Sequence, residues 1–84
     1  MKSKGKSKHL PLEVEDQLQK LGQRLRELRI KKGYTSLEIF AYEHGFGRAQ
    51  YGRYEVGKDL QFTTLVRLVN CFEITLEEFF SEGF

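Results

Sequence analysis

Residues 45–58 read GFGRAQYGRYEVGK and follow the run TSLEIFAYEH at 35–44. Phe46, then Tyr51 and Tyr54 three apart, then Glu55 and Gly57, predict a short helix entered by a tight turn and closed by glycine. With the helical run before it, the stretch is the second half of a helix-turn-helix. At about 100° per residue, Tyr51 and Tyr54 fall on one side of this helix, and Arg48, Ala49, Gly52 and Arg53 on the other. The face expected to point outward thus carries two arginines separated by two small residues. Guanidinium forks that reach base edges, beside small residues that let a backbone come close, suit a helix lying in a major groove. A solvated charged face is the plainer reading of the same arginines. Gly52 adds little, because a mid-helix glycine costs about 1 kcal/mol relative to alanine and needs something to offset it.

Eighty-four residues are enough for one core and too few for two. The single cysteine, Cys71, excludes an intrachain disulfide and a thiolate metal cluster, and a reducing, cytoplasmic setting is expected. No stretch approaches the roughly 20 apolar residues of a membrane span, and the basic start lacks the apolar run of a signal peptide, so a soluble, unprocessed chain is expected. The net charge of +2 is small, but its distribution is informative. Residues 20–67 hold ten Lys or Arg against five acids, whereas residues 68–84 hold four acids and no base. The positive charge therefore gathers around the expected recognition unit.

Residues 1–10 contain Lys2, Lys4, Lys6 and Lys8 among Ser and Gly, which reads as a disordered basic arm ending at Pro11. Phosphate neutralisation and plain solubility are equally good readings of it. Residues 11–84 form the single expected domain. Leu18, Leu21, Leu25 and Leu28 recur at helical spacing over about 16–32, and Val14 extends the stripe backward. Gly33 is a good stop. Thr35-Ser-Leu-Glu38 has the form of a capping box and opens a second helix, about 36–44. That helix is apolar over more of its circumference than a surface helix needs, so Ile39 and Tyr42 are covered either by the first helix or by a partner. The third helix spans about 47–55. Thr63 or Thr64 is expected to cap a fourth, about 64–72, with Leu65, Leu68, Val69 and Phe72 in the core. Thr75-Leu-Glu-Glu78 is a second capping box, opening a fifth helix at about 76–81. The fold class is all-α, five helices.

The order of these signals resembles the phage-repressor and Cro-type helix-turn-helix family, the Xre family, over about residues 21–80. The matching features are LGQRLRELR with Leu21, Leu25, Leu28 and Arg29; Phe40-Ala41; Gly45-Phe46; Tyr51, Tyr54, Glu55 and Gly57; and the closing ITLEEFF. The resemblance implies a five-helix lambda-repressor-like domain, with its helix-turn-helix at helices 2 and 3. It also implies sequence-specific binding of double-stranded DNA and transcriptional regulation, here expected to be repression. Arg48, Ala49, Gln50 and Arg53 stand where the family reads bases, and arginine and glutamine match guanine and adenine edges respectively. Gln50 lies nearer the flank, where a phosphate is the other target. Thr35 or Ser36, Lys58, and Thr63 or Thr64 stand where it holds phosphates; helix-start hydroxyls serve equally as caps. Arg29 and Glu55 match a pair joining helix 1 to the end of helix 3. One extra residue lies between Gly33 and Phe40, so Thr35 and Ser36 compete for the start of helix 2. Gly47 replaces the small hydroxyl residue that usually caps helix 3.

Enzyme chemistry is not expected. His9 and His44 stand far apart with no cysteine or carboxylate at ligand or relay spacing, Cys71 reads as a small buried hydrophobe, and neither metal nor cofactor is implied. The rival class is a protein-interaction module of the same fold, such as an antitoxin-like subunit holding a toxin. It would account for exposed Ile39 and Tyr42, and it would leave Arg48 and Arg53 tied to Glu43 or Asp59. A homodimer is expected through the C-terminal helix, with Phe79, Phe80 and Phe84 as candidate contacts; closure of the monomer core is the competing use of Phe79 and Phe80.

Overall fold

A computed structural model describes residues 11–84; the basic arm expected at 1–10 lies outside them. Five helices follow in order: α1 (Val14–Lys31), α2 (Leu37–Glu43), α3 (Arg48–Glu55), α4 (Phe62–Cys71) and α5 (Leu76–Phe80), with no strand among the described residues. This is the all-helical arrangement that the resemblance implied. α1 begins at Val14, so the backward extension of the leucine stripe is helical. Its acidic first turn (Glu15, Asp16) and basic last turn (Arg29, Lys31) both complement the helix dipole.

The core draws on every helix: Leu25 and Leu28, Phe40 and Ala41, Tyr51 and Tyr54, Leu65, Leu68 and Val69, then Phe79, with Phe72 at the end of α4. Phe40 is its hub. Its ring stacks on Phe72 at 5.3 Å between centroids and touches Tyr34, His44 and Tyr51. His44 closes α2 as a helix-end residue, donating from Nδ1 to the carbonyl of Phe40, which can only accept (3.1 Å). Gly45 then adopts φ +77°, the left-handed region, and lets the amide of Phe46 reach back to Ala41 (2.8 Å). Arg67 of α4 covers the Phe46 ring at 4.4 Å, fixing the turn from its other side. The turn into α3 is thus set by backbone geometry and one cation on a ring.

Three caps differ from expectation or refine it. Ser36, not Thr35, caps α2, its hydroxyl accepting from the amide of Ile39 (3.2 Å); Glu38 does not reach back to complete a box. α4 starts two residues early, at Phe62, behind Gln61, so Thr63 and Thr64 lie in its first turn and cap nothing. The extended Gln61 backbone supplies the helix entry without a side-chain bond. The box at Thr75 and Glu78 forms in full, with bonds of 3.0 and 2.8 Å. Phe79 closes the monomer core, whereas Phe80 and Phe84 are 41% and 45% exposed.

Two arginines of α1 tie distant parts of the chain to it. Arg24, almost fully buried, donates to the carbonyls of Phe79 and Glu78 at the end of α5 (2.7 and 2.9 Å). Arg29 donates to both oxygens of Glu55 (2.7 and 3.1 Å) and to the carbonyl of Tyr34 (2.8 Å). α3 is held closer still at Gly22. A Cβ there would lie 2.6 Å from the carbonyl oxygens of both Tyr54 and Glu55, so only glycine lets the two helices meet.

Candidate nucleic-acid interface

α3 has two chemically opposite sides. Tyr51 is fully buried and Tyr54 nearly so, while Arg48, Ala49, Gln50 and Arg53 are all exposed. The four residues expected to read bases therefore share the solvent side of one short helix. Gly52 departs from the wheel: it is half-buried, and a Cβ there would sit 3.8 Å from the Leu37 methyls, an ordinary contact. Nothing inside the described chain requires a glycine at that position.

The helix is anchored from beneath. The Arg29 and Glu55 side chains are only 6% and 5% exposed, and their bidentate pairing joins the middle of the molecule to the last residue of α3. The pairing with Glu55 outweighs burial and raises the Arg29 pKa further, so the guanidinium stays charged. Beside this pair sits the Tyr51 hydroxyl, which is buried and makes no hydrogen bond of acceptable geometry. Burial first, and the neighbouring Glu55 carboxylate second, push its ionisation well above the ordinary tyrosine range. Tyr51 is therefore a neutral wedge between α3 and the core.

Around α3 the cations are open. Arg48 is 73% exposed and pairs with Glu38 of α2 (3.2 Å), not with Glu43 or Asp59. Glu43 accepts instead from the Tyr34 hydroxyl (2.6 Å), and Asp59 is turned onto the amide of Leu60 (2.8 Å). Among the described residues, Arg53 and Lys58 have no ion-pair partner within 4.0 Å. An open polar cleft of about 300 Å³ runs between α3 and the start of α4, lined by Gln50, Arg53, Gln61 and Thr64 among others. It brings Gln50 and Thr64 together on the flank of the helix. Thr35 is exposed in the loop before α2 and Thr63 is exposed in the first turn of α4, whereas Ser36 is half-buried with its hydroxyl committed to Ile39 and Glu38.

Three contributors have roles that no local sequence pattern carries. Gly22 and Arg24 act only through partners more than thirty residues away, though a glycine and an arginine within a leucine stripe are visible irregularities. Glu38, whose spacing from Thr35 predicts a capping role, instead holds Arg48. Among the described residues no group of three or more His, Cys, Asp or Glu side chains is placed to hold a metal, and no helix is long and apolar enough to cross a membrane.

Comparison with family models and with curated proteins gives no match. Among solved structures, the chain is similar to the restriction-modification controller protein C.AhdI from Aeromonas hydrophila. The two are 37% identical, superpose with a TM-score of 0.68, and the match covers 76% of this chain and 97% of that one. An identity of this size over nearly the whole neighbour shows more than a shared fold. The chain belongs to the Xre-type helix-turn-helix family of DNA-binding transcriptional regulators.

Proposed function

We propose that this protein binds double-stranded DNA at a specific sequence and regulates transcription, reading the major groove with α3. The observation that carries the reading is the division of that helix into a tyrosine side locked in the core and an Arg48, Ala49, Gln50, Arg53 side left open. In this reading Arg48 and Arg53 each bond the O6 and N7 of a guanine, and Ala49 leaves room for the backbone or meets a thymine methyl. Gln50 reaches either an adenine edge or, from its place in the flanking cleft, a phosphate. Lys58, Thr35, Thr63 and Thr64 position the helix by phosphate contacts, with Ser36 acting through its cap at the start of α2.

The likeness to a restriction-modification controller protein supports a regulatory role of that kind, and we place that role in the cytoplasm. Repression by occupying the site is its simplest form. Phe80 and Phe84, 4.9 Å apart between ring centroids and both part-exposed, are the surface we assign to a second copy. A two-fold pair would set two α3 helices about 34 Å apart, on successive turns of the groove.

A protein-interaction role, with a toxin-like partner as one case, keeps one observation of its own: Ile39 and Tyr42 stay 52% and 85% exposed on α2. Selection of bound sequences from a random duplex library separates the readings. The expected result is one enriched site, with Arg48→Ala and Arg53→Ala each losing about 1–3 kcal/mol of discrimination at a different base pair. Failure to enrich any sequence, with no binding to bulk duplex at low salt, would overturn the DNA reading.

A further inference from the structure

Arg48 is tethered in a particular way. Its Nε donates to Glu38 Oε2 (3.2 Å), while among the described residues its two terminal nitrogens have no partner. The other carboxylate oxygen, Oε1, accepts from the hydroxyl of Ser36 (3.3 Å), and that hydroxyl is itself fixed by the amide of Ile39. A chain of hydrogen bonds thus runs from the backbone of α2 through Ser36 and Glu38 to the first residue of α3.

We propose that Glu38 is a specificity-determining residue of the DNA interface, holding Arg48 by Nε so that its two terminal nitrogens meet a base edge end-on and stay off the phosphates. The inference rests on the groove-reading assignment above. A free arginine at the start of α3 has two classes of target. Phosphates surround it on both strands, attract it at long range and carry no sequence information; a guanine edge is a single geometric match. An acid beside the guanidinium acts on both. It repels the phosphates, lowering affinity for any duplex, and it restricts a flexible side chain to the pose in which one N–H of each terminal nitrogen faces outward.

Glu38 is fitted for this. Its own backbone amide, the Arg48 guanidinium and the Ser36 hydroxyl together hold its carboxyl below the ordinary carboxylate range, so it is charged at neutral pH. The pair is open to solvent on both sides, 73% and 53% exposed, so it releases or keeps Arg48 at little cost to the fold. A salt bridge whose purpose was stability would be a poor one here.

The test compares the intact chain with Glu38→Gln, Glu38→Ala and Arg48→Ala for binding to the selected duplex, to its single-base variants and to random duplex. The expected result for both Glu38 variants is tighter binding to random duplex, with discrimination reduced about three- to fivefold at the one base pair where Arg48→Ala also loses it, and unchanged elsewhere. Wild-type discrimination at every position, or a uniform fall at all positions, would overturn the role of Glu38 while leaving groove reading in place. If Arg48→Ala also keeps every preference, groove reading by this residue fails, and the proposal fails with it.

Discussion

Among the described residues two arginine–glutamate pairs join one helix to another, and they differ in almost every respect except chemistry. Arg29–Glu55 is shut away, its side chains 6% and 5% exposed, bidentate, and continued to the carbonyl of Tyr34. Arg48–Glu38 is in solvent, bonded through one nitrogen, and leaves the business end of the arginine free. In the first pair, burial makes each charge depend on the other, so the pair is a fixed joint. In the second, water can replace either partner, so the pair is an adjustable one. Groove reading by α3, as proposed, would use both: a foot that cannot shift and a head that can be aimed.

Loss of the buried pair should cost the molecule most. Glu55→Ala leaves the Arg29 guanidinium buried and unpaired, and denaturant unfolding is expected to show a loss of about 3–5 kcal/mol. Replacing both partners, as Arg29→Met with Glu55→Leu, should recover much of that loss, since the penalty lies in the orphaned charge. A double variant as unstable as the single one would mean that the pair does more than neutralise itself.

Next in size is Gly22→Ala. The added methyl has only backbone carbonyls to meet at 2.6 Å, so α1 and α3 must separate at an expected cost of about 1–3 kcal/mol, against the gain in helix propensity. Unfolding measurements that show the variant to be as stable as wild type would contradict the close approach.

Tyr51→Phe removes a buried hydroxyl that has no partner and should gain about 1 kcal/mol. It should also change the alkaline limb of stability. The folded state holds the Tyr51 proton to higher pH than the unfolded chain does. Its contribution is therefore complete below about pH 10, the unfolded value, and declines above it as the unfolded chain loses the proton first. The phenylalanine variant should show a shallower fall between about pH 10 and 11, measured by urea unfolding at each pH. The smallest effect belongs to the exposed pair: Glu38→Gln should leave the unfolding midpoint in urea unchanged, however much it alters base preference.

The two faces of α3 were legible in the sequence because a helical period of 3.6 residues sorts Tyr51 and Tyr54 from Arg48, Ala49, Gln50 and Arg53 with no tertiary information. The full capping box at Thr75 was legible for a similar reason: both its bonds are local. The box at Thr35 failed because local chemistry was outbid. One extra residue moves the cap to Ser36, and Glu38 finds a guanidinium ten residues on, at Arg48, a stronger partner than the amide it was expected to meet. Thr63 and Thr64 failed because an extended Gln61 backbone alone starts α4. What no local pattern carries is which distant carbonyl sits above Gly22, or which helix end Arg24 reaches.

If the open side of α3 reads duplex DNA and its buried side only holds the helix in place, affinity must depend on salt and on the two exposed arginines. The most direct test is the affinity of the intact chain for its selected duplex across a range of salt, beside Arg48→Ala/Arg53→Ala, with both shown to unfold at the same midpoint. Binding is expected to weaken steeply with salt, and the variant to lose the difference between selected and random sequence while remaining folded, as groove reading by α3 requires. A folded double variant that prefers the selected duplex as strongly as the intact chain would contradict it.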